Sequence, residues 1–189
     1  MERLLIEECA RLSDEVYDKC IEVGDLGFTV SETSSVVIIA IRGTANRRNV
    51  ERDINVIPYH FKGGMFSTWG FVRAYKKLEG PVLQRLPKNK PVIFTGHSLG
   101  GAVATLFAER IGVGAITFGS PRVYLRGWYK STVNHFRVYM DDDPIPKIPA
   151  VLYCHKTEGN KIKDADKELI EVSDHFMDYY LKNLYKLWQ

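Results

Sequence analysis

The chain reads as an α/β protein with a mostly parallel central sheet and helices on both faces. Three observations lead there. Short apolar, β-prone runs alternate along the sequence with segments of helical period, the pattern of strands joined by crossover helices. Residues 92–101, VIFTGHSLGG, carry an apolar run through a sharp glycine-flanked turn straight into the helix-forming stretch Ala102–Arg110. The length of 189 residues suits one compact domain, residues 1–189, with a sizeable core.

The elements follow in order. Leu5, Cys9, Leu12 and Val16 recur at spacings of four, three and four, which predicts an opening amphipathic helix. Leu26–Val30 and Val36–Ile41 are β-prone runs either side of the polar Glu32-Thr33-Ser34-Ser35, so they form a hairpin or neighbouring strands. Phe66 to Leu86 reads as a helix that Gly80-Pro81 can interrupt. Val92–Thr95 is expected as a central buried strand, Gly114–Phe118 as another, and Phe136–Met140 as a third, broken by Asp141-Asp142-Asp143-Pro144. Val151–Lys156 is expected as an outer strand. His175 to Leu187 reads as a closing helix with Ser173 or Asp174 as its N-cap.

Composition narrows the function classes. The net charge is +3 and the lysines and arginines are scattered, which argues against nucleic acid as a partner. No run reaches the ~18 apolar residues of a membrane span. The N-terminus turns acidic too early for a secretory leader. Cys9, Cys20 and Cys154 are odd in number and widely spaced, the pattern of free thiols in a reducing compartment. These signs predict a cytoplasmic or intracellular protein. The five histidines form no H-x-x-x-H pair, so no metal and no cofactor is expected.

The G-x-S-x-G turn is the most informative motif. Between a strand and a helix, it places a serine hydroxyl above the sheet edge on a strained backbone. Gly96 and Gly100 lack a Cβ and let strand and helix approach. Ser98 is therefore a candidate nucleophile, and the amide of Leu99 points toward a developing oxyanion. The simpler alternative is a serine that only caps the helix. A serine needs a base and an orienting acid. Asp143 stands after a strand at the carboxyl edge of the sheet, with Asp141 and Asp142 as rivals. His175 and His155 are the two histidines downstream, and His175, at a loop–helix junction, is the better base. Ile38–Ile41 ends in Arg42-Gly43-Thr44, where Thr44 can supply a second oxyanion donor.

Together these pieces resemble the class 3, fungal-type triacylglycerol lipases of the α/β-hydrolase superfamily. The resemblance runs from about Leu26 to Leu181. Residues 41–44, IRGT, look like the family's oxyanion strand F-R-G-T/S, and 96–102, GHSLGGA, match its elbow. Residues 118–123, FGSPRV, are similar to F-G-x-P-R-V, and 143–149, DPIPKIP, to D-x-V-P-x-L-P. Tyr153-Cys154-His155 looks like a strand whose histidine is structural, and the segment from Asp174 looks like the one bearing the catalytic histidine. The resemblance implies an α/β-hydrolase fold and a Ser98–Asp143–His175 triad with Thr44 and Leu99 in the oxyanion hole. It implies a lipase or esterase, with a phospholipase A1 or acyltransferase, or a silent binding module, as alternatives. The implied partner is a lipid or small ester substrate, with transient contact at a membrane surface or micelle.

The chain departs from the family between Asn46 and Asp53. Val50 stands where a lid tryptophan is usual, Asp53 keeps the lid aspartate, and Val50 and Ile54 are the apolar residues among a run of charges. Such a lid gains little from an oil surface, so an esterase-like preference for short or soluble esters is expected. Docking of its three arginines on anionic head groups would favour a phospholipase role instead.

Overall fold

The computed structural model describes residues 2–43, 55–127, 129–162 and 175–189. Helix α1 (Arg3–Glu15) opens the chain. It is followed by β1 (Ile21–Val23), β2 (Leu26–Glu32), β3 (Val37–Ile41), β4 (Pro58–Lys62) and β5 (Met65–Thr68). Then come α2 (Trp69–Leu83), β6 (Val92–His97), α3 (Leu99–Ile111), β7 (Gly114–Phe118), β8 (Tyr124–Leu125) and β9 (His135–Met140). A 3-10 turn (Ile145–Lys147), β10 (Tyr153–Cys154), β11 (Gly159–Ile162), α4 (Met177–Asn183) and a second 3-10 turn (Leu184–Trp188) complete it.

Seven strands make the central sheet in the order β1-β2-β3-β6-β7-β9-β11. β1, β2 and β3 are antiparallel neighbours. The pairs from β3 to β11 are all parallel. The expected hairpin around Glu32–Ser35 is present, with Thr33 accepting the Val36 amide at 3.0 Å. Every residue of β3 is buried, because helices cover both faces of the parallel region. Val37, Ile39, Ile41 and Phe94 pack toward α2 and α3. Ile38, Ala40, Ile116 and Phe118 pack with Ile6, Cys9 and Leu12 of α1 and Met177 and Tyr180 of α4.

Some expected elements are displaced. Residues 65–68 are strand, not the first turn of a helix. They pair antiparallel with β4, which the sequence did not reveal. The helix begins at Trp69, capped by the Thr68 hydroxyl accepting the Phe71 amide at 3.3 Å. Gly80-Pro81 does not interrupt it. Pro81 lies in the last turn, so its missing amide costs a single i→i−4 bond near the helix end. The run Val151–Lys156 contributes only Tyr153–Cys154, paired with β8 outside the main sheet. The outer strand is β11, whose polar sequence Gly-Asn-Lys-Ile lacks a strand pattern and is set by pairing to β9. The closing helix starts at Met177, and the expected caps Ser173 and Asp174 lie outside the described residues.

Candidate active site

β6 delivers Ser98 at the carboxyl end of a parallel strand, where α3 begins. The Ser98 backbone sits at φ 57 and ψ −129, the only positive φ outside glycine among the described residues. A Cβ on Gly100 would lie 2.1 Å from the Ile41 carbonyl oxygen, and one on Gly96 would lie 2.6 Å from the Gly100 carbonyl carbon. Both glycines are therefore required by the close approach of β3, β6 and α3. The helix-cap alternative fails, because the Ser98 side chain caps nothing.

The hydroxyl instead meets an imidazole. Ser98 Oγ lies 2.8 Å from His175 Nε2, and His175 Nδ1 lies 2.8 Å from Asp143 Oδ2. A carboxylate only accepts, so Nδ1 carries the proton and Nε2 presents its lone pair to the serine hydroxyl. All three side chains are buried, Asp143 completely. Asp143 Oδ1 also accepts the Ile145 amide at 2.9 Å, and Oδ2 accepts the Tyr180 hydroxyl at 2.6 Å. Of the rival aspartates, Asp141 turns instead to Lys161, which it pairs with at 3.0 Å.

His155 is not at the site. Its Nε2 donates to the Pro146 carbonyl at 2.9 Å, and burial pushes the imidazole down to about 3. Leu99 occupies the first position of α3, next to Ser98. Thr44 and the whole expected lid, Asn46–Asp53 with Ile54, lie outside the described residues. Arg42, just past the end of β3, is no surface residue: its guanidinium donates to the Leu26 carbonyl at 3.2 Å and pairs with Glu22 at 3.3 Å.

This geometry can be set beside known proteins. The family model "Lipase (class 3)" matches residues 38–153, more than half of the chain. The chain belongs to the class 3 lipases. A secreted mono- and diacylglycerol lipase A of Penicillium camembertii is 32% identical over 166 residues, covering 77% of this chain and 54% of the relative. A secreted mono- and diacylglycerol lipase 1 of Fusarium solani is 28% identical, covering 64% of this chain and 41% of the relative. This class 3 lipase chain thus spans about half the length of the curated relatives it matches. Among solved structures, the Rhizomucor miehei triacylglyceride lipase superposes with a TM-score of 0.69 at 20% identity, covering 87% of this chain and 82% of that one. The Lip2 lipase of Yarrowia lipolytica gives 0.67 at 19% identity, covering 90% and 82%. These likenesses establish the α/β-hydrolase fold.

One expectation is corrected here. The intracellular compartment read from the N-terminus and cysteines does not stand, since the relatives are lipases named as secreted. The physical weakness lies in the thiols. Cys9 is fully buried, and burial pushes it up to about 12, so it is inert in either redox environment. Among the described residues, no helix of this class 3 lipase is long and apolar enough to cross a membrane.

Three supporting residues escaped the sequence reading. Tyr180 holds Asp143 from α4, and burial, reinforced by the Asp143 charge, raises its pKa well above the ordinary value, keeping it a proton donor. His97 Nε2 donates to the backbone carbonyl of His175 at 2.6 Å, and the two rings lie 4.6 Å apart. Gly119, at φ +54, packs against Asp143, Tyr180 and His175. A Cβ there would sit 3.0 Å from both Asp143 Oδ2 and the Tyr180 hydroxyl. The F-G-S-P motif signalled Gly119 without giving the reason.

Proposed function

We propose that this chain hydrolyses carboxylic esters of lipids through an acyl-enzyme on Ser98. The observation that carries the reading is the continuous buried relay from Asp143 through His175 to Ser98, with both links at 2.8 Å. His175 Nε2 takes the Ser98 proton as Oγ attacks the ester carbonyl carbon. Asp143 keeps the imidazole in the required tautomer and stabilises the imidazolium. The oxyanion is assigned to the amides of Leu99 and Thr44, with the Thr44 hydroxyl. Loss of one such donor costs about 3–4 kcal/mol. Collapse breaks the acyl–oxygen bond, and His175 returns the proton to the departing alcohol. Water, activated by the same base, then releases the fatty acid and restores the serine.

The names of the relatives make mono- and diacylglycerols the first substrates to try. Transient contact with a micelle or membrane surface is supported by the exposed Val56, Ile57, Val151 and Leu152. The Tyr153 hydroxyl ties their two segments together by donating to the Val56 carbonyl at 2.7 Å. The test is a series of glycerides and model esters of increasing chain length, run beside labelling with a fluorophosphonate. Labelling of Ser98, with turnover lost in Ser98→Ala, is expected. A folded chain that neither reacts with the probe nor cleaves any ester would sink the reading.

A further inference from the structure

On the face of the sheet that carries α2 and α3, the apolar core stops at β9. There, His135 and Arg137 project side by side, two residues apart on one strand. Arg137 is 6% exposed and His135 7%. No carboxylate pairs with Arg137 among the described residues. Its Nη1 donates to the Thr157 carbonyl at 3.1 Å, while the Tyr139 ring lies 5.8 Å from its guanidinium carbon. An uncompensated guanidinium out of water is costly, and burial draws its pKa down to about 10.

Among the described residues, three polar atoms here have no hydrogen-bond partner: Arg137 Nε, His135 Nδ1 and Thr157 Oγ1. All three can donate. Arg137 Nε always does. The Thr117 hydroxyl lies 2.9 Å from His135 Nε2; when it donates to that nitrogen, Nδ1 keeps its hydrogen. The Thr157 hydroxyl is free to turn. Burial pushes His135 and the nearby His155 both down to about 3 and leaves them neutral donors rather than further cations. Arg122 adds positive potential. Thus a buried cation and unpaired donors lie near one another, with the Thr157 carbonyl on Arg137 Nη1 but no anionic partner among the described residues. A water accepts hydrogen bonds but leaves the charge unbalanced. An anion answers both needs.

We propose that Arg137, His135 and Thr157 hold one small monovalent anion of chloride size, separate from the Ser98 site. The small size follows from the packing. A Cβ on Gly159 would already lie 2.5 Å from the Tyr139 ring and 3.1 Å from Arg137 Nη1, so the backbone closes on one side of the guanidinium and a small anion suits it best. The site lies under the start of β9, whereas Asp143 follows its other end. The anion therefore acts on the packing of β9 and β11.

Thermal unfolding of the full chain at constant ionic strength tests this, with chloride replacing gluconate stepwise. A saturable rise in midpoint is expected. At a hundred times the dissociation constant, the folding equilibrium shifts about 100-fold, which moves the midpoint of a chain this size by roughly 5–10 °C. The rise is expected to vanish in Arg137→Met and to weaken in Thr157→Val. Should Arg137→Met fail to fold, crystals of the unaltered chain grown in bromide decide. An anomalous peak within hydrogen-bond distance of Arg137 Nε supports the site. A midpoint indifferent to chloride, or a bromide-soaked crystal with only water beside Nε, overturns it. Ester hydrolysis enters neither measurement, so failure here is distinct from failure of the hydrolase reading.

Discussion

Ser98 holds a backbone conformation, φ 57 and ψ −129, that belongs to the first central residue of a type II′ turn, a place dominated by glycine. A residue with a Cβ held there stores about 1–3 kcal/mol. The comparison of Ser98→Ala with Ser98→Gly isolates that strain. Both remove the hydroxyl and its 2.8 Å bond to His175, but only the glycine variant also removes the Cβ. Relief of strain favours glycine by about 1–3 kcal/mol, and its greater loss of freedom on folding counts against it by about 0.5–1 kcal/mol. The glycine variant is therefore expected to be more stable by up to about 2.5 kcal/mol, where at an unstrained position the sign is reversed. Urea unfolding of the two variants in one buffer reads the difference. In a thermal melt it amounts to about 2–4 °C for each kcal/mol. Both variants are expected below about a thousandth of the wild-type rate on a soluble butyrate ester. An alanine variant more stable than the glycine variant would refute the stored strain. A variant that keeps turning over above that level would show that another group attacks.

Further outcomes follow from the same contacts. Asp143→Asn and His175→Ala are expected to lose activity by several orders of magnitude, whereas His155→Ala chiefly loses stability; turnover by folded His175→Ala alongside inactive, folded His155→Ala would mean the base is wrongly assigned. Tyr180→Phe strips one donor from a fully buried carboxylate and leaves the Met140 amide, 3.1 Å from that hydroxyl, without its partner. About 2–5 kcal/mol of stability should go, and a melting point unchanged within 2 °C would contradict the bond. Gly119→Ala is expected to lower kcat, since its Cβ presses on Asp143, Tyr180 and the His175 ring, and wild-type kinetics would show that the loop yields. His135, held at about 3 when folded against about 6.5 unfolded, takes up its proton only in the unfolded chain between those values. Stability should fall as pH drops from 6.5 toward 3, by up to about 1.4 kcal/mol per pH unit. His135→Gln should flatten that slope, and a slope equal to wild type would place the titration elsewhere.

The sequence alone determined the parts of this protein that arise from neighbours along the chain. Strand, turn and helix around Ser98 were legible because Gly96 and Gly100 mark the tight approach and because β-prone and helical periods meet there. The parallel core strands were legible because burial on both faces leaves a continuous apolar run. The choice of Asp143 and His175 was half legible. Position at strand and helix ends favoured them, while their separation from Ser98 by 45 and 77 residues hid any contact. Tertiary structure decided what depends on pairing and enclosure. It made residues 65–68 a strand because β4 lies beside them. It made polar residues 159–162 an edge strand because β9 offers hydrogen bonds, and it brought Tyr180 under Asp143. It also took Cys9 out of the cysteine argument by burying it, since a thiol sealed in a core carries no mark of the compartment around it. The common physical reason is range: backbone propensity and side-chain period act within a few residues, whereas desolvation and hydrogen-bond satisfaction are settled only when distant segments close over one another.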